Sequence, residues 1–237
     1  MKEITHGEQQ KIWEKEHEAP YVLRQMDSEN PSGGVVKFYK WLYSKTATEN
    51  VKGLEMCCGK GRSVIWLAKQ KINMTGFDFS KNAIEEARRR AEAAGVQSKT
   101  NFLVQDATKK WKFDSDSFDF VVDCFATTDI ESAEGRNFAR DEAIRVLKPN
   151  GYLLVYTLST DNEFHKEMIK TSPTSQSNAF LHPTTGKFEK TWDVTELEMF
   201  YSSLTLIESE RVPKMSTFFG KEYKENNIWM VFQKATI

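Results

Sequence analysis

From Val51 onward the chain alternates short apolar runs with stretches in which apolar residues recur at helical spacing. The runs at 51–56, 73–77, 101–104, 118–124 and 151–157 predict strands, with helices between them beginning near Lys60, Ser80 and Gly135. Strands separated by helices predict a mostly parallel sheet with helices on both faces, because parallel neighbours need a long crossover. The helix after Ser80 carries the fullest signature. Ser80 suits its N-cap, Ile84, Ala87, Ala91 and Ala94 share one face, and Gly95 suits the left-handed residue that ends it. Its run Arg88, Arg89, Arg90 lies beside Glu85, Glu86 and Glu92 and reads as a solvated, charge-paired face.

The ends of the chain depart from this alternation. Residues 204–212 and 227–233 read as strands flanking a polar stretch with Gly220, which predicts a C-terminal antiparallel hairpin. Residues 1–50 carry two helical patterns, 7–18 and 35–45, joined through Pro20 and the PSGG turn at 31–34, and are expected to pack on or over the sheet edge. The expected fold is α/β: a doubly wound, mostly parallel seven-stranded sheet with a C-terminal antiparallel hairpin and an N-terminal helical cap. One domain is expected over 1–237, divided into a cap (1–50), a core (51–157), an insertion (158–193) and a C-terminal helix and hairpin (194–237).

Composition narrows the partners. With 33 Lys and Arg against 34 Asp and Glu, the net charge of -1 lacks the basic excess of a duplex-DNA binder. The N-terminus is too charged for a signal peptide, and the longest apolar stretches, such as 152–156, fall short of the roughly 20 residues a membrane helix needs. Three cysteines, Cys57, Cys58 and Cys124, form no secreted-type disulfide framework, so a reducing cytoplasm is expected.

The chemistry gathers at GLEMCCGKGRSVIWLA, residues 53–68: an apolar strand, a turn with Gly59 and Gly61, and a helix start. Backbone amides at such a turn, aided by the helix dipole, hold a ligand closely because glycine puts no side chain in the way. Asp78 ends the next predicted strand, where a carboxylate can accept from both hydroxyls of a ribose or assist the helix that follows. Arg62, Ser63 and Val64 follow Gly61, so the third glycine of a nicotinamide fingerprint is missing, and no G-x-x-x-x-G-K-[ST] phosphate loop stands here.

Five segments in order resemble the class I S-adenosylmethionine-dependent methyltransferases: Glu55-Met56-Cys57-Cys58-Gly59-Lys60-Gly61, FDFS at 77–80, QDAT at 105–108, FDFVVDCF at 118–125 and RVLKPNGYLLV at 145–155. The resemblance covers about residues 51–157 and implies S-adenosylmethionine as cofactor and S-adenosylhomocysteine as product. By motif position it implies that Glu55 and the backbone near Cys57, Cys58 and Gly59 hold the methionine end. It further implies that Asp78 holds the ribose, that Asp106 with Ala107 reads the adenine edge, and that Phe79 packs on the base. Arg62 resembles an arginine near the cofactor carboxylate in many C-G-x-G-R versions, and a surface ion pair is an equal reading. Cys57 departs from the family, standing where the motif has its first glycine, and a cysteine takes a positive φ only with strain.

Strands ending at Met56 and Cys124 are neighbours in a sheet of this family, which brings the thiols near one another. Adjacent strand residues point to opposite faces and no C-x-x-C spacing is present, so buried apolar packing is the stronger reading and no metal site is expected. The family resemblance puts the acceptor near Asp123, Cys124 and Phe125, where DCFATTD replaces the N-P-P-[YF] sequence of enzymes that methylate bases and amide nitrogens. Tyr21 and His182 are further substrate candidates, from the cap and from the insertion read as a substrate lid; for His182 a loop histidine bonded to backbone is the stronger reading. Phe38 and Trp41 share a helical face and are assigned to the core. The reading is methyl transfer to a small-molecule acceptor by in-line displacement in an enclosed pocket, for which alignment matters more than an acid or base. An enzyme of the same fold acting on protein or RNA, and a non-catalytic cofactor-binding protein, remain alternatives because fold does not fix function.

Overall fold

The computed structural model describes residues 3–18, 28–45 and 50–236. Seven strands form one sheet in the order β3-β2-β1-β4-β5-β9-β8: β1 Lys52–Met56, β2 Asn73–Asp78, β3 Thr100–Val104, β4 Phe118–Cys124, β5 Leu147–Thr157, β8 Thr205–Phe218 and β9 Lys221–Gln233. The first five run parallel; β9 pairs antiparallel with both β5 and β8. The expected fold class is borne out, and β1 and β4 are neighbours, with Met56 opposite Asp123.

Strand alternation fills two cores. Phe120, Val122, Leu154, Tyr156, Trp229 and Val231 face one layer, made by α2 (Gly33–Lys45), α3 (Arg62–Lys69) and α4 (Lys81–Ala93). Leu54, Met56, Val121, Leu153, Val155 and Met230 face the other, made by α6 (Ala133–Val146) and α8 (Val194–Phe200). Ser80 caps α4 by accepting from Ala83 N at 3.1 Å, and Gly95 follows at φ +69, as the sequence signature required.

The cap helix α2 lies on the sheet face rather than at its edge. Gly34 lets it do so: a Cβ there would stand 2.4 Å from the Tyr156 ring, and the Gly34 carbonyl accepts from Trp229 Nε1 at 2.9 Å. Phe38 is fully buried against Phe120, while Trp41 is only half-buried and donates its Nε1 to Glu208.

Between β5 and α8 the chain forms α7 (Glu163–Thr171) and a small antiparallel pair, β6 (Ala179–Leu181) with β7 (Phe188–Lys190). The C-terminal hairpin is longer than its apolar residues suggested, because β8 is an edge strand with mostly exposed polar positions that carry no burial pattern. A four-residue helix, α5 (Ala126–Asp129), follows β4 directly. The N-terminal helix α1 (His6–Glu16) begins with a capping box between Thr5 and Glu8.

Gly34→Ala should destabilise the protein by about 1–3 kcal/mol through overpacking against Tyr156. Urea unfolding of the two proteins measures it, and an unchanged midpoint would mean that α2 is not seated as described.

Candidate functional site

Three consecutive parallel strands end on carboxyl groups at the same edge of the sheet: Glu55 on β1, Asp78 on β2 and Asp106 two residues past β3. The turn after β1 is tight, with Cys57 at φ +51, Gly59 at +52 and Gly61 at +74. Cys57 therefore does occupy the left-handed region that the family's glycine would take freely, at a cost of about 1–2 kcal/mol for a residue with a Cβ. Phe125 repeats this at the end of β4, with φ +65.

Glu55 is buried and its Oε2 has no hydrogen-bond partner among the described residues. Burial pushes its carboxyl up to about 8, although nearby Arg62 works in the opposite direction. At neutral pH the uncharged acid is therefore favoured. Asp78 is also buried and accepts from Gly59 N at 3.0 Å and Ser80 N at 2.9 Å, so it joins the glycine turn to the start of α4. Burial carries it to about 6 against the pull of those amides. Both readings of Asp78, helix partner and ligand carboxylate, thus start from the same position.

Asp106 accepts from Thr108 N and Oγ1 through Oδ1, while His6 lies 2.9 Å from its Oδ2. Burial works upward on Asp106, but the bonds from Thr108 and His6 prevail and lower its pKa. The Ala107 carbonyl accepts from Trp111 Nε1 at 3.0 Å. Phe79 is half-buried and faces α1 across a cleft lined by Gln10, Lys11 and Glu14. Cys57, Cys124 and Phe125 each keep part of their surface accessible, and desolvation raises both thiols; Cys58 is buried. Among the described residues no group of three or more His, Cys, Asp or Glu is placed to hold a metal ion.

Two substrate candidates are reassigned by their surroundings. Asp123 is wholly buried and accepts from Thr127 Oγ1 at 2.6 Å and Tyr201 OH at 3.0 Å, so its carboxylate holds α5 and α8 instead of facing an acceptor. His182 is buried in the β6–β7 turn, where its Nδ1 accepts from Thr184 N at 3.3 Å, the backbone-bonded arrangement. Tyr21 lies outside the described residues.

The first helix of the expected cap lies over the glycine turn and the start of α4. Gln9 of α1 is buried and ties it to α5 and β7: its amide donates to Asp129 O at 2.8 Å and Phe188 O at 3.1 Å, and its Oε1 accepts from Phe188 N at 2.9 Å. Glu14 accepts from Ser80 Oγ at 2.7 Å and Lys81 N at 3.2 Å. The His17 ring lies 3.4 Å from where a Cβ on Gly59 would stand. The available signal was the spacing of polar residues: His6, Gln9, Glu16 and His17 recur on the inward face of α1, where a core helix would carry apolar ones.

Residues 54–151 match the family model described as a methyltransferase domain. Over that segment, less than half of its length, the chain is similar to methyltransferase domains. It is 32% identical over 103 residues to a demethylmenaquinone methyltransferase of Leptospira interrogans, covering 43% of this chain and 40% of that one. A SAM-dependent methyltransferase structure from Methanosarcina mazei superposes with a TM-score of 0.74 at 22% identity, covering 84% of this chain and 99% of that one. The 1,6-didemethyltoxoflavin-N1-methyltransferase of Burkholderia thailandensis, solved with S-adenosylhomocysteine, gives 0.70 at 14% identity, covering 100% and 93%. The chain spans about half the length of the curated relatives it matches, 55% of one and 40% of another.

His6 bridges the start of α1 to two carboxylates. Its other ring nitrogen lies 2.9 Å from Glu131 Oε1, so both nitrogens face carboxylates. Burial disfavours the charged ring, but the Asp106 hydrogen bond and the charges of Glu131 and Asp106 outweigh it and raise the pKa above 6.5. A raised folded-state pKa stabilises docking below 6.5, and that contribution disappears as pH rises through the folded value. Hydrogen exchange should show α1 amides losing protection across that rise, after correction for intrinsic rates. His6→Asn should abolish the pH step; an identical step in the variant would contradict the assignment.

Proposed function

We propose that this protein transfers a methyl group from S-adenosylmethionine to a small-molecule acceptor in an enclosed site. The observation that carries this reading is the buried Glu55 carboxyl with its unpartnered oxygen, set beside the strained Cys57–Gly61 turn and one strand from Asp78. Such a donor set fits S-adenosylmethionine: an acid held neutral by burial gains a counter-charge from a cationic ligand, and Asp78 is placed for a diol. Bound there, the cofactor supplies a methyl group on a positively charged sulfur.

In this reading Glu55 and the amides of the 57–59 turn hold the methionine end, with Arg62 beside Glu55. Asp78 takes the ribose hydroxyls, Phe79 lies along the base, and Asp106 turns from His6 to the adenine edge. Helix α1 then closes the site through Gln9 and Glu14, excluding water from a reaction that depends on alignment. Residues 158–193 serve as the acceptor lid within a single domain. The near-neutral charge and this cover favour a small acceptor over nucleic acid, and three free thiols suit a reducing cytoplasm.

Asp78→Ala should weaken S-adenosylhomocysteine binding by about 1–3 kcal/mol, the value of hydrogen bonds to a charged group. Calorimetric titration of the folded variant measures it, and an unaltered affinity would remove Asp78 from the ribose.

A further inference from the structure

One stripe of α1 joins the insertion to the glycine turn. Gln9, Trp13 and the C-cap His17 recur at every fourth residue and so lie one above another on the same side of the helix. Gln9 grips the main chain of β7, donating to Phe188 O at 3.1 Å and accepting from Phe188 N at 2.9 Å, as a neighbouring strand would. One turn further on, the Lys187 ammonium lies 4.3 Å from the centre of the Trp13 ring. A turn beyond that is His17, its ring 6.0 Å from the Trp13 ring and 3.4 Å from where a Cβ on Gly59 would stand. Ile4, just ahead of the helix, packs against the small core of Ala179, Leu181 and Phe188.

Packing alone does not call for a lysine at 187. The side chain is buried, and an ammonium out of water needs a partner. Glu189, two residues on, supplies one at 3.0 Å, and the charge is directed at the face of an indole. An apolar residue of similar length would fill the space without removing two charges from water, but it would not hold the ring electrostatically. Neither element stands firmly by itself. A two-stranded pair with three residues in each strand is marginal alone, and so is a polar helix of 11 residues. Each therefore orders the other. On its far side α1 meets the edge assigned above to the cofactor, through His17 at Gly59 and through Glu14, which accepts from Ser80 Oγ at 2.7 Å.

We propose that Lys187 and Trp13 are positioning residues that couple the insertion to the cofactor edge. The inference rests on the methyltransferase reading above. With the Trp13 ring held on Lys187 and Gln9 bonded to Phe188, the stripe has one rotational setting, in which His17 covers the glycine turn. A ligand that settles under α1 thus stabilises the β6–β7 pair as well. By reciprocity, an acceptor that orders the insertion tightens retention of the cofactor by the same factor.

The test combines hydrogen exchange and surface plasmon resonance of the full chain, with S-adenosylhomocysteine as the probe. In wild type the ligand should slow amide exchange in β6 and β7 as well as in α1. Trp13→Leu and Lys187→Met should each release it about tenfold faster and lose the added protection of β6 and β7, whereas Trp13→Phe and Lys187→Arg, which keep a ring and a cation, should retain both. A merely structural role would lower the melting midpoint and leave the dissociation rate of the folded variants unaltered. Circular dichroism verifies each fold; should Lys187→Met fail to fold, Trp13→Leu, which keeps the Lys187–Glu189 pair, decides. If wild type binds the probe without a change in β6 and β7, or if the folded variants release it like wild type, the inference is overturned and methyl transfer stands. If wild type does not bind it, the methyltransferase reading falls and the unliganded proteins decide the coupling: faster exchange of both α1 and β6–β7 in Trp13→Leu upholds it, and unchanged exchange overturns it.

Discussion

Placing several carboxyl groups out of water at one edge of a sheet is the constraint on which the rest of this structure depends. Parallel strands β1, β2 and β3 end together, so the side chains that follow them, Glu55, Asp78 and Asp106, are forced into one neighbourhood. Buried acids are tolerated only when they are neutral, hydrogen-bonded or paired, and each of the three meets that condition differently. Glu55 stays protonated, Asp78 accepts two backbone amides, and Asp106 is bonded by Thr108 and His6. Glu55, which keeps one unpartnered oxygen, is the group to which the proposed reading assigns the cationic ligand.

The cap extends the same logic to the outer side of the site. Helix α1 buries Gln9 and Glu16 rather than an apolar stripe, so hydrogen bonds and charge hold it more than hydrophobic packing does. Such contacts can exchange with ligand groups of similar polarity, whereas the apolar seat of α2 on Tyr156 and Phe120 has no such alternative. The two N-terminal helices therefore differ in kind: α2 belongs to the sheet's core, and α1 to the site.

Much of the fold was legible because period-two burial and helix caps are local signals. The strand at 118–124 and the cap at Ser80 stand where the residues predicted them. The rest was hidden for identifiable reasons. Only the first part of β8, through Val212, was legible, because its continuation to Phe218 is a mostly exposed edge, and β6 and β7 span three residues each, too few to show a period. Glu55, Gly59, Gly61 and Asp78 lie in contiguous motifs and could be read directly. Trp13, Lys187 and Glu189 come together only through the docking of α1 on β7, which no local pattern announces. Asp123 shows the opposite error: a motif position suggested a ligand contact, and only tertiary structure reveals that Thr127 and Tyr201 occupy its oxygens.

The central claim is that the edge formed by Glu55, the 57–61 turn and Asp78 receives a sulfur-bearing nucleoside. Calorimetric titration of the purified wild-type chain with S-adenosylmethionine and with NAD, side by side, tests it most directly. The account predicts saturable binding of S-adenosylmethionine, accompanied by proton release as Glu55 ionises, and none of NAD. Binding of NAD instead, or no binding of S-adenosylmethionine, would contradict it.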